Sequence, residues 1–138
     1  MNTASQVKEA FEKASWKFKY IAEQPDGSTI MAAGFNGEKT VTNLLIHIDA
    51  QDHTVMIRAA DIAKVPIDRK YDVLVVLNQL NEKYRWSRFY VDGNETINVQ
   101  TDQILAGESS GAIVMELILR INSIVNDAFP EIMKAIWG

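Results

Sequence analysis

The sequence predicts an α+β fold, an antiparallel sheet with helices in helix-meander-helix-hairpin-helix order. Apolar residues recur at every second position through residues 16–60 and 86–101, and at helical spacing through 3–14, 68–84 and 109–136. The strands come in runs rather than alternating strictly with helices, which argues against a parallel α/β sheet. Glycines fall singly between these segments, as turn residues do, with no linker, internal repeat or low-complexity tract. Residues 1–138 therefore read as a single domain.

Thr3 and Gln6 have the spacing of a capping box, and Val7, Ala10, Phe11 and Ala14 follow on one face of a short amphipathic helix. Trp16, Phe18 and Tyr20 alternate with Lys17 and Lys19, the period of a half-buried strand, and Pro25-Asp26-Gly27 turns the chain. Ser28 to Phe35 reads as the returning strand, Asn36-Gly37 as a tight turn needing positive φ, and Thr40 to Asp49 as a third strand. Ala50 to Asp52 turns again, Thr54 to Ala60 makes a fourth strand, and Pro66 closes the run. Asp68 is placed to cap a helix to about Tyr84, with Val73, Leu74, Val76, Leu77, Leu80 and Tyr84 on one broad apolar face. Trp86 to Asp92, a Gly93-Asn94 turn and Thr96 to Thr101 read as a second, two-stranded element. Ser109 or Ser110 is expected to cap the last helix, whose Ile113, Val114, Leu117, Ile118, Ile121, Ile124, Val125 and Ala128 recur at helical spacing. Pro130 is expected to kink or interrupt it before Ile132, Met133 and Ile136.

Composition narrows the function. A chain of 138 residues and 15.5 kDa buries about two thirds of its unfolded surface, enough for a core without staples. The absence of cysteine removes disulfides, thiolate nucleophiles and iron-sulfur clusters, and fits a reducing compartment. Fourteen basic residues against eighteen acidic ones give a net charge of −4, the wrong sign for a general phosphate-backbone binder, so nucleic acid is not expected as a partner. The amino end carries Lys8, Glu9, Glu12 and Lys13 and lacks the apolar run of a secretory signal. The most apolar stretch, 112–129, is broken by Glu116, Arg120, Asn122 and Asn126. A cytoplasmic location without membrane association is the expectation.

Three apparent chemical motifs give way to simpler readings. Gly107-Glu108-Ser109-Ser110-Gly111 fits a nucleophile elbow, but His47 and His53 both precede the serine, whereas an α/β-hydrolase base follows it; the segment reads as a loop entering a helix. Gly34, Gly37, Lys39 and Thr40 resemble a phosphate loop, yet Glu38 separates Gly37 from Lys39, and Lys39 starts a strand rather than a helix. Matching the apolar faces of strands three and four sets Ile48 opposite His53 and Ile46 opposite Val55. His47 and His53 then point to opposite faces, and no metal site is expected. Carboxylates are scattered, so no catalytic, cofactor or metal residue is assigned.

The stretch Leu77-Asn78-Gln79-Leu80-Asn81-Glu82-Lys83-Tyr84-Arg85-Trp86-Ser87-Arg88-Phe89-Tyr90-Val91-Asp92 resembles the helix-to-strand signature of the YbjN-like family, and Val125-Asn126-Asp127-Ala128-Phe129-Pro130 resembles its closing motif. The order of elements matches too, so the resemblance spans essentially the whole chain. It implies a fold similar to class I type III secretion chaperones, a homodimer, and a non-enzymatic role of the kind labelled bacterial sensory transduction regulator. It carries over no catalytic residue.

Two features point to a contact surface. If 85–91 is a strand, Trp86, Arg88 and Tyr90 share one face, a guanidinium between two rings, while Phe89 and Val91 share the other. One aromatic face would pack under the helices and the other would meet the protein's own sheet, a second subunit or a partner. In the last helix Met115 and Leu119 widen an already broad apolar stripe, as if it were buried nearly all round. Contact with a second subunit or a client would explain this, and so would a central helix clasped between the sheet and the first helix. The candidate partner or dimer surface is therefore Trp86, Arg88, Tyr90, Met115 and Leu119. The expected function is a chaperone-like adaptor or regulator that binds another protein or peptide as a homodimer; the alternative is a small-ligand-binding regulatory domain.

Overall fold

The computed structural model describes residues 2–138 and has the expected α+β class. Its elements are α1 (Thr3–Lys13), β1 (Tyr20–Glu23), β2 (Thr29–Phe35), β3 (Thr42–Ile48), β4 (Thr54–Lys64), α2 (Lys70–Lys83), β5 (Arg88–Val91), β6 (Thr96–Ile104) and α3 (Ser110–Trp137). Short 3₁₀ turns, Ile67–Arg69 and Gly107–Ser109, lead into α2 and α3.

All six strands form one antiparallel sheet in the order β1-β2-β3-β4-β6-β5. The expected separate two-stranded element is thus part of the main sheet. Ile97 and Val99 of β6 continue the apolar face set by Val55, Ile57 and Ala59 of β4, so pairing the two strands extends one core. That face also takes Met31 and Ala33 from β2 and Leu44, Ile46 and Ile48 from β3, and all three helices cover it. α3 lies over β4 and β6 with α1 and α2 alongside, burying Val114, Ile118, Ile121, Val125 and Ile132. It is therefore a central helix, flanked rather than enclosed, and Leu119 stays exposed. No helix among the described residues is long and apolar enough to cross a membrane.

Several local expectations are corrected. Asn2 caps α1, its Oδ1 accepting the Ser5 N–H at 2.8 Å, while Thr3 is buried and its amide donates to the Asp52 carboxylate. Gln6 turns away to accept the Gly111 N–H at 2.7 Å, covering an amide at the start of α3 that neither Ser109 nor Ser110 reaches as a side-chain cap. The aromatic alternation from Trp16 does not begin a strand, since β1 starts only at Tyr20. Phe18 stacks on Phe11 at 4.0 Å and Trp16 meets it edge-on at 5.4 Å, so these rings seal the end of α1.

The strand β3–β4 register lies two residues from expectation, with Ile48 opposite Val55 and Ile46 opposite Ile57. A shift of two keeps every side chain on its face, so His47 still sits opposite Met56 on the side away from the helices. Asp68 caps nothing, because a 3₁₀ turn precedes α2. Leu74 leaves the inward face of Val73, Leu77 and Leu80 and is exposed.

Pro130 lies inside an unbroken α3. One turn before it, buried Asn126 accepts the Lys39 and Thr40 amides on Oδ1 at 2.8 and 2.9 Å and donates to the Asn122 carbonyl at 3.0 Å, pinning the β2–β3 connection to α3. Gly37 does not adopt the expected positive φ, and its need is space, because a Cβ there would lie 2.1 Å from Asn126 Nδ2.

Candidate interaction surface

After α2 ends at Lys83 the chain must reverse to start β5 within four residues, and it does so through Trp86 at φ +75°. A left-handed backbone at a bulky L residue costs about 1–3 kcal/mol and persists where the surroundings impose it. The turn parts the indole from the strand face: Trp86 is not in β5 and does not share a face with Arg88 and Tyr90, contrary to expectation. It reaches α3 instead.

There Trp86 is 51% exposed, its ring within cation–π distance of two guanidinium groups, with the Arg85 Cζ 5.4 Å and the Arg120 Cζ 5.8 Å from the centroid. Arg120 is steadied one turn along α3 by Glu116, at 3.0 Å. The indole separates two surface clefts. One, of about 370 Å³, is lined by Ile113, Leu117 and Gln103; the other, of about 430 Å³, by Leu119, Ser123 and Ile124. Both share Trp86, Glu116 and Arg120. Leu119 thus joins Trp86 in the site, whereas Met115 is half-buried against the core and lines neither cleft.

Arg88 and Tyr90 lie on the face of the sheet that no helix covers. Arg88 pairs with Asp102 at 3.2 Å above the Tyr90 ring, and Tyr90 donates its hydroxyl to Gln100 Oε1 at 2.9 Å. Arg58 Nε donates to the same oxygen at 3.2 Å, and Gln100 Nε2 donates to Asp102 at 3.0 Å. These side chains satisfy one another across β4, β6 and β5. The five sequence candidates therefore divide into a Trp86–Leu119 groove, an Arg88–Tyr90 network and a packed Met115. Sequence reasoning missed the partnership of Trp86 with Glu116 and Arg120, because residues this far apart in the chain share no local periodicity.

Nearby, the Tyr84 hydroxyl donates to the Asp127 carboxylate, tying the end of α2 to α3. Burial first, and then that carboxylate, push the phenol pKa well above its ordinary value, so it stays neutral. Neither Ser109 nor Ser110 hydrogen-bonds to His47 or His53 among the described residues. Likewise, no three His, Asp or Glu side chains there gather as a metal ion would require.

A family model named YbjN, described as "Putative bacterial sensory transduction regulator", matches residues 3–133. Among solved structures, the chain is similar to YbjN from E. coli, described as "a putative transcription regulator". The TM-score is 0.59 at 14% identity, over 93% of this chain and 92% of that one. It is also similar to an uncharacterized protein from Methanothermobacter thermautotrophicus, with a TM-score of 0.62 at 14% identity, over 98% and 96% of the two chains. At this identity the structural likeness shows the fold. No curated protein matches.

Proposed function

We propose that this chain, which belongs to the YbjN family, is a regulator that acts by holding a segment of another protein in the groove beside Trp86, and that it does so as a homodimer. The observation that carries the reading is Trp86 itself: a large aromatic, half exposed, fixed in a strained backbone between two clefts. Interfaces concentrate their energy in such rigid aromatic anchors, ringed by apolar contacts that exclude water. Ile113, Leu117, Leu119 and Ile124 supply that ring here. The left-handed backbone at residue 86 reverses the chain between α2 and β5 and in doing so turns the indole out beside α3, where a partner could meet it.

Pairing is supported by the start of α2, whose first turns carry apolar residues outward as well as inward. Val73, Leu77 and Leu80 point into the core, while Ile67 just before the helix and Tyr71, Leu74 and Val75 point outward, Ile67 being 94% and Tyr71 79% exposed. The outer face of α1, by contrast, carries Lys8, Glu9, Glu12 and Lys13. A helical segment apolar on both sides is built to be covered on both. The ion pairs beside the outer stripe, Arg69–Asp72 and Lys70–Glu95, leave little net charge to oppose a second copy.

Light scattering and affinity copurification from the organism's own extract test the two parts. A dimer at micromolar concentration that Tyr71→Glu/Leu74→Glu converts to monomer is expected, as are discrete partners lost with a folded Trp86→Ser variant. A monomer at all concentrations removes the pairing, and partners retained by Trp86→Ser remove the groove.

A further inference from the structure

The two edges of the sheet are treated differently. At β5, the outward backbone of Phe89 is occupied by one side chain: Asn81 of α2 donates from Nδ2 to the Phe89 carbonyl at 3.1 Å and accepts the Phe89 N–H on Oδ1 at 2.6 Å. The amide imitates a neighbouring strand and closes that edge. β1, at the other edge, has no such cover. The Gln24 N–H bonds to the Ser28 carbonyl at 2.8 Å, which fixes Gln24, Ala22 and Tyr20 as the residues that face β2. Ile21 and Glu23 therefore turn their N–H and C=O groups outward, and among the described residues nothing pairs with them.

Beside this edge runs a cleft of about 690 Å³ between α1 and β1, with an apolar floor of Trp16, Phe18 and Ile21. Its charged rim is Lys8, Lys17 and Glu12, whose side chains make no hydrogen bond or ion pair among the described residues, leaving one excess positive charge in a chain of net −4. An open strand edge asks for backbone, the cleft beside it for apolar side chains at every second position, and the rim for an acid. We propose that β1 accepts an extended segment of a partner protein as a seventh strand, its alternate apolar side chains seated against Trp16, Phe18 and Ile21 and an acidic residue meeting Lys8 and Lys17. This surface is separate from the Trp86 groove and stands or falls independently of it.

The test uses the full chain and phage-displayed random 12-residue peptides as the probe. Enriched peptides are expected to alternate apolar residues with at least one acid, and to slow hydrogen exchange at the Ile21 and Glu23 amides. Ile21→Pro and Glu23→Pro each remove one outward N–H and leave the β1–β2 bonds in place, so each is expected to weaken binding at least tenfold, as is Lys17→Glu. The inference is overturned if no peptide is enriched, or if enriched peptides bind folded Ile21→Pro and Glu23→Pro as they bind the parent. Peptides lost on Trp86→Ser but retained by both proline variants overturn it while upholding the groove. Self-association abolished by Ile21→Pro assigns the edge to a second copy and overturns it as well.

Discussion

Gly37 and Asn126 occupy one volume between them: a Cβ on residue 37 would come within 2.1 Å of the Asn126 amide, which accepts the Lys39 and Thr40 N–H groups. This contact fixes the β2–β3 connection on α3 close to the Trp86 groove, since Ser123, which lines that groove, also lines the cleft that holds Asn126.

Asn126→Ala leaves both amides without an acceptor and is expected to destabilise by about 1–3 kcal/mol for each that water cannot reach. Gly37→Ala alone is expected to destabilise through the clash. In the Asn126→Ala background it should cost less, because the obstructing amide is gone. Urea unfolding of the double-mutant cycle reads this, and strict additivity contradicts it.

Trp86→Gly relieves the left-handed backbone while deleting the anchor. The melting temperature is expected to hold or rise as partner binding disappears. A marked fall in melting temperature would mean that the indole is chiefly structural.

Asn81→Ala frees the Phe89 edge. The Phe89 amide is expected to exchange faster, and the chain to aggregate at lower concentration as β5 becomes available for pairing. Unchanged exchange at Phe89 would contradict the role given to Asn81.

Asp49 accepts the Thr54 and His53 amides, at 2.9 and 2.7 Å, and these bonds hold its carboxyl below the ordinary range, Thr54 contributing most. A depressed value in the folded state means that this stabilisation is present above the ordinary carboxylate pKa of about 3.9 and is lost as pH falls through the lowered value. Asp49→Asn should therefore flatten the acid limb of a stability–pH curve and leave its slope near neutrality unchanged.

The fold was legible where one period dominated. Alternation in Leu44, Ile46, Ile48, Val55 and Ile57 identified the buried face even though the register was two residues off, because face depends only on parity. The same rule misled at Trp16, Phe18 and Tyr20, where aromatic spacing records a cluster around Phe11. It misled again at Trp86, where a single left-handed residue redirects the indole from strand to helix. The expectation that Pro130 would kink or interrupt α3 rested on the lost backbone bond; the helix is not interrupted there, and Ile121, Val125 and Ile132 pack in the core on either side of it. Of the site, Leu119 was visible as apolar excess on the last helix and Trp86 as an aromatic set among basic residues; Arg120 and Glu116 had no signature before the fold brought them beside the indole.

The most direct measurement places a photocrosslinking amino acid at position 119, in place of Leu119, leaving Trp86 intact, and irradiates the organism's own cells, with Glu9 on the outer face of α1 as the control position. The account predicts discrete adducts to one or a few proteins from position 119, absent from position 9 and lost when Trp86→Ser is added. Adducts equal at both positions, or unaffected by Trp86→Ser, would contradict the claim that the groove beside Trp86 is where this protein meets its partner.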